Sequence, residues 1–179
     1  MNAIHRGFTL VELLIVVIIL AILAAIVIPQ FSSATVDAQE SALDSNLSAL
    51  RSAIELYKAQ HTGKFPGSVA ATGATCTVGT AGTGAINTAQ AVIDQLTKYS
   101  SASGTTCSGA DPTTTLGPYL RKGMPPDPIT NSAAIAVATA GTPLAPGAAT
   151  GGWAYDVKTG QIVMNSNAND SKGAAYSTH

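Results

Sequence analysis

The sequence predicts an α+β protein: one long, kinked N-terminal α-helix packed on a small C-terminal head that carries a short antiparallel β-sheet. Three observations carry that expectation. An unbroken apolar run ends near residue 28, an amphipathic helical stripe resumes beyond it, and two β-type segments flank a glycine turn near the end of the chain. At 179 residues there is room for one modest domain. Only 11% of residues are charged and Lys and Arg are scattered, so there is no specific nucleic-acid signal.

Residues 8–28 read FTLVELLIVVIILAILAAIVI, with Thr9 and Glu12 as the only polar members. As a helix this run is roughly 32 Å long, close to the ~30 Å apolar core of a bilayer. A secretory signal peptide would have a shorter apolar core followed by a small-x-small cleavage site. A plain transmembrane anchor fits the length, but neither reading explains Glu12. A carboxylate at the membrane centre costs on the order of 2.5–3.5 kcal/mol, less toward an interface. Glu12 either stays wet near the interface, helped by the positive end of the helix dipole, or has a partner.

The leader MNAIHRG is short and polar and stops at a glycine before Phe8. The stretch Gly7-Phe8-Thr9-Leu10-Val11-Glu12 resembles the processing motif of the type IV pilin family, which includes the pseudopilins of type II secretion systems. The resemblance implies that a prepilin peptidase cuts between Gly7 and Phe8 and methylates the new N-terminus at Phe8. It also implies assembly into a helical homo-oligomeric filament by an inner-membrane platform with its ATPase machinery. In that assembly Glu12 pairs with the Phe8 amine of a neighbouring subunit. Such a pair sets register more than it adds stability, because an uncompensated buried charge is expensive and a paired one is tolerable.

Arg6 and the amino terminus precede the span, and the flank after it holds Asp37 and Glu40 but no Lys or Arg. Positive-inside bias then leaves the leader in the cytoplasm and the rest outside. Pro29 removes a backbone donor and clashes with the preceding turn, which predicts a kink there. Beyond it Leu43, Leu47, Leu50, Ile54 and Tyr57 step by four and three, flanked by Glu40, Asp44, Arg51, Glu55 and Lys58. Gly63 and Pro66 end the helix. The expected organisation is a leader, 1–7; a long helix, 8–62, with its transmembrane and assembly half at 8–28; and a head, 63–179.

In the head, residues 67–87 are small and polar and read as loop. Thr88 to Tyr99 regains helical periodicity through Val92, Ile93, Leu96 and Tyr99, with Asn87 and Gln90 as its cap. Cys76 and Cys107 bracket that helix. In an oxidising compartment they allow one intramolecular disulfide, whereas a zinc site lacks further His or Cys companions. Gly63-Lys64-Phe65-Pro66 and the GPYLRKGMPPDP of 117–128 are similar to the corresponding segments of major pseudopilins. Strands are expected at 133–139, 153–157 and 161–165, the last two joined by Lys158-Thr159-Gly160. The tail, 166–179, reads as polar and irregular.

No residues after position 60 form a catalytic constellation, so a non-enzymatic role is expected, with no cofactor and no metal. Asp111, Asp127, Asp156 and Asp170 read as solvated surface rather than oxygen ligands, since no tight Asp-x-Asp spacing occurs. Two fibre-forming roles follow from the resemblance: a pilus at the cell surface serving adhesion, motility or DNA uptake, or a periplasmic pseudopilus for protein secretion. A membrane-tethered binding or enzymatic domain leaves Gly7-Phe8 and Glu12 unexplained.

Overall fold

A computed structural model describes residues 8–179, with side chains at all of them except 28, 29 and 31–33. Helix α1 spans Leu10–Gln60, α2 spans Ala89–Thr97, and a 3-10 turn spans Tyr176–Thr178. The strands are β1 (Tyr99–Ser100), β2 (Thr106–Cys107), β3 (Ile135–Ala138), β4 (Trp153–Asp156) and β5 (Ile162–Met164). The chain divides into two compact units, one ending at Ala38 and one running Gln39–His179.

The second unit holds the core. Leu43, Leu47, Leu50, Ile54 and Tyr57, the stripe predicted on α1, are all buried. They meet Val92 and Leu96 of α2, Trp153 and Tyr155 of β4, Ile162 and Met164 of β5, and Tyr176. Burying each large aliphatic side chain stabilises the head by roughly 1.5–3 kcal/mol relative to exposure. Two of the polar tips in this core find acceptors, whereas the buried Tyr57 hydroxyl has no partner among the described residues. Trp153 Nε1 donates to Pro125 O at 2.8 Å and Tyr155 Oη to Pro66 O at 3.0 Å.

Helix α1 ends one residue earlier than glycine chemistry alone suggests. Gly63 N donates to Lys58 O at 3.0 Å, a six-to-one closure with Thr62 in the left-handed region at φ 55°. Helix α2 starts at a Thr88 cap, whose Oγ1 accepts from Ala91 N at 3.2 Å. Asn87 is not the cap: it sits in the turn before, at φ 60°. The predicted last helical position, Tyr99, instead opens β1, which pairs antiparallel with β2.

The main sheet corrects the expected topology. β4 and β5 form the predicted antiparallel hairpin, but β3 pairs parallel with β4, giving a mixed sheet ordered β3-β4-β5. The physical reason lies in the Gly/Pro-rich crossover, 139–152, which returns the chain to enter β4 in the direction of β3. Its Leu144, Ala145 and Pro146 line one open cleft together with Ala136, Val137, Ala138 and Ala154 of the sheet. With that cover, all residues of β4 and β5 are buried.

The tail is tied to the head. Tyr176 reaches the core, and Glu40 of α1, beside the apolar stripe, is buried and accepts from Ser171 N at 2.7 Å and Ser171 Oγ at 2.8 Å. Residues 166–179 are polar and largely irregular as expected, but they are held to the head at Tyr176 and through the Glu40–Ser171 bonds.

Candidate functional site

Two surfaces stand out chemically: the apolar start of α1 and the carboxylate-organised loops of the head. Every side chain from Phe8 to Val27 is exposed. The segment Leu10–Val27 is long and apolar enough to cross a membrane. At roughly 27 Å of helix it matches the apolar thickness of a bilayer to within a turn.

Thr9 and Glu12 start this helix as a reciprocal capping box. Glu12 N donates to Thr9 Oγ1 at 3.2 Å, while Thr9 N and Oγ1 donate to Glu12 Oε2 at 3.1 and 3.0 Å. Backbone donors of the first turn, which have no helical acceptor, are satisfied this way. The spacing Thr-x-x-Glu before an apolar run signals such a box, and reading Glu12 only as a charge missed it. Phe8 is exposed beside it; Gly7 lies outside the described residues. Pro29 lies within the span of α1.

In the head, Cys76 and Cys107 are joined, their Cα atoms 5.8 Å apart across a sequence separation of 31. The bridge ties the 67–87 loop to β2, which Ala81 also contacts through an isolated bridge to Cys107.

The four aspartates expected at a solvated surface are turned inward instead. Asp127 Oδ1 accepts from Ile129 N and Thr130 N, and its Oδ2 from Ser132 N and Gly152 N at 3.1 and 2.8 Å. Asp156 accepts from Gly141, Lys158 and Thr159 amides, organising the β4–β5 turn. Asp111 receives the amides and hydroxyls of Thr77 and Thr113. Asp170 receives Lys172 N and Ala174 N. A fifth, Asp94, caps the 67–87 loop through Thr83 N and Gly84 N and pairs with Lys98 at 2.8 Å.

These bonds set the ionisation of the carboxylates. Burial pushes Asp94, Asp127 and Asp156 toward neutrality. The donors around them outweigh that cost and hold all three below the usual carboxylate range. The Thr77 hydroxyl does most to hold Asp111 down. Their lone pairs are spent on the chain's own loops. Among the described residues, no three His, Cys, Asp or Glu side chains gather where they could hold a metal ion.

Two histidines missed in the sequence have defined roles. His61, buried at the end of α1, stacks on Tyr57 with ring centroids 3.7 Å apart. Its Nδ1 lies 2.8 Å from Tyr57 O and its Nε2 3.0 Å from Ser100 Oγ, linking α1 to β1. Burial lowers its pKa, against the hydrogen bond to Tyr57. His179 bridges Asp44 and Asp170. No sequence signal marked either, because one partner of each lies 39 or 135 residues away.

With this geometry established, comparison with known proteins finds likenesses for the first segment. A family profile described as the prokaryotic N-terminal methylation motif matches residues 3–28. The type IV major fimbrial protein FimA of Dichelobacter nodosus is 47% identical over 55 residues, covering 31% of this chain and 35% of the relative. The type II secretion system core protein G of Pseudomonas aeruginosa is 42% identical over 54 residues, 30% of this chain and 38% of the relative.

The N-terminal third of the chain is thus similar to that of type IV pilins and of a type II secretion pseudopilin.

The type IV narrow pilus major component PilA5 of Thermus thermophilus extends the family match, at 41% identity over 58 residues, 32% of this chain and half of the relative. The chain spans about a third to a half of the length of these pilin relatives. No solved structure matches the chain. The pilin resemblance therefore rests on the apolar helix and its capping box, while the head stands on its own geometry.

Proposed function

We propose that this chain is the precursor of a structural, non-enzymatic subunit of a type IV pilus-like filament. One observation carries the reading: an apolar segment exposed at every side chain, Leu10–Val27, lies within the stretch that matches the methylation motif. Buried, each large side chain of that segment is worth roughly 1.5–3 kcal/mol, so the surface calls for a cover of lipid or of like helices. In the precursor the cover is the inner membrane, crossed once, with the head in the periplasm. In the mature filament it is the same segment of neighbouring copies.

Prepilin peptidase/methylase cuts between Gly7 and Phe8, and Phe8 becomes the N-methylated terminus. Glu12 then exchanges its Thr9 contacts for the Phe8 amine of the next subunit, neutralising both charges in an apolar assembly. Pro29 divides the assembly half, 8–28, from the part of the helix that carries the head. The assembly platform and ATPase supply the work of extraction. Mass spectrometry of sheared fibres tests the processing step: a mature chain beginning at N-methyl-Phe8 is expected, and one still beginning at Met1 sinks it. Glu12→Ala is expected to insert into the membrane normally but to lose polymerisation; normal fibres from that variant rule out the pairing role.

A second reading, a major pseudopilin of a type II secretion system, draws on the match to core protein G. The two separate by where fibres form. Long fibres at the cell surface favour the pilus, and short periplasmic assemblies with a secretion defect on deletion favour the pseudopilus.

A further inference from the structure

Over the whole chain carboxylates and cations nearly balance, 10 against 9, but the fold places them differently. Glu40, Asp94, Asp111, Asp127 and Asp156 are buried, their oxygens taken by amides and hydroxyls of the head's own loops. Lys64, Arg121, Lys122 and Lys158 are exposed, and none of them pairs with a carboxylate among the described residues. Near neutrality in the sum therefore hides a surface richer in cations than in carboxylates.

Those cations, dispersed in sequence, gather at the C-terminal end of α1. Lys58 lies in the last turn, its Nζ 4.4 Å from the centre of the Phe65 ring and 3.6 Å from Glu55. Lys64 follows directly, its amide bonded to His61 O at 3.1 Å. The Lys158-Thr159-Gly160 turn rests on the same Phe65 ring, so closely that a Cβ on Gly160 would clash with it. Tyr119 Oη donates to Gln60 Oε1 at 2.6 Å. That bond brings in the turn closed by Gly123 N on Leu120 O, with Arg121 and Lys122 at its centre. A helix dipole favours cations in the last turn and fades beyond it, which accounts for Lys58 but not for the others.

We propose that this end of the head is a docking surface for an acidic polysaccharide, a linear polymer of sugars carrying carboxylate or sulfate groups. Charge complementarity selects a polyanion: its anions meet Lys64, Arg121, Lys122 and Lys158 without displacing an ion pair of the chain. The aromatic rings decide between polymers. Single-stranded nucleic acid is held by bases stacked on open aromatic faces. Here Phe65 lies beneath Lys58 and against Gly160, and Tyr119 stands edge-on to Tyr57 with its hydroxyl tied to Gln60. Besides charge, this end offers the neutral polar groups of Gln60 and Thr62, both exposed, which suit sugar hydroxyls. Docking depends on the head's fold alone, whether or not copies of the chain assemble.

The test is fluorescence anisotropy of labelled heparin, a sulfated chain, and labelled polygalacturonate, a carboxylated one, titrated with the full chain in nonionic detergent micelles. Binding of either is expected. With roughly five ion contacts, its affinity should fall on the order of 20- to 100-fold between about 50 and about 200 mM salt. Arg121→Ala combined with Lys122→Ala is expected to weaken binding about tenfold and to flatten the salt dependence. Lys172→Glu changes the net charge by the same amount beside Ser171, which Glu40 holds about 30 Å back along α1. That variant should bind within about twofold of the parent, since the distance exceeds the screening length. Absence of binding to both polymers at the lower salt overturns the surface, as does a double variant that binds like the parent. An equal loss in Lys172→Glu overturns it too, because net charge alone would then govern binding. Tighter binding of labelled oligothymidylate of matched charge overturns the polysaccharide in favour of nucleic acid.

Discussion

Two stretches of α1 use the same aliphatic residues to opposite ends. From Leu10 to Val27 every side chain is exposed, whereas the stripe Leu43, Leu47, Leu50, Ile54 and Tyr57 is buried. The difference is spacing. Apolar residues on all faces leave no side for a domain to cover, while apolar residues every three or four positions make one stripe that a head can close over. Hydrophobic content alone therefore does not say whether a helix finds its cover inside the chain or outside it. The carboxylates divide the same way: Glu12 is exposed and, among the described residues, bonded to Thr9 three residues away, whereas Glu40 and Asp127 are buried and bonded across the head.

One substitution made in both stretches tests the comparison most strongly. Leu47→Ala is expected to cost the head about 2–5 kcal/mol in denaturant unfolding, through lost burial and an unfilled cavity. Leu20→Ala should leave that transition unmoved; equal losses would break the distinction. Next come the carboxylates. Asp127→Ala strands several buried amide donors and is expected to cost at least about 2 kcal/mol. Glu12→Ala removes a capping box, worth about 1 kcal/mol to the helix start and nothing to the head.

The pH dependence of the head sharpens the contrast further. Asp94, Asp127 and Asp156 are held below the usual range, so the unfolded chain takes up their protons first as pH falls. Their contribution is present above about pH 4 and is lost below it. His61 is lowered as well, so its loss begins below about pH 6.5. The melting temperature is expected to decline from there and more steeply below about pH 4. His61→Gln should remove the first phase only, and a parent that is flat down to pH 4 contradicts the buried neutral ring.

The smallest effect is at Thr62, a β-branched residue at φ 55°. Thr62→Gly is expected to raise head stability by about 0.5–1 kcal/mol, since glycine occupies that region without a Cβ penalty. A loss would mean that the hydroxyl or methyl makes a compensating contact.

Much of the frame was legible. The four-and-three stepping of Leu43 to Tyr57 marked a buried stripe, and the glycine turn before Gln161 marked the β4–β5 hairpin. Cys76 and Cys107 left one intramolecular pairing, which the structure contains. The parallel β3 was not legible, because alternation of side chains within a strand says nothing about its direction beside another. Nor were the inward aspartates. An aspartate in a polar loop looks the same whether its oxygens meet water or backbone amides, and the Gly152 amide that Asp127 binds comes 25 residues later.

By itself the sequence determined the properties that depend on near neighbours: where α1 runs, which face of it is apolar, and that its first half can cross a membrane. Those follow from helical spacing, and a spacing is read within a few residues. Only the tertiary structure decided which polar groups are buried, how β3 joins the sheet, and that the tail is held by Glu40, Asp44 and Arg51. These depend on groups brought together from 18 residues apart, for β3 and β4, to more than a hundred, for the tail. A buried charge persists only where such distant partners offset its loss of water.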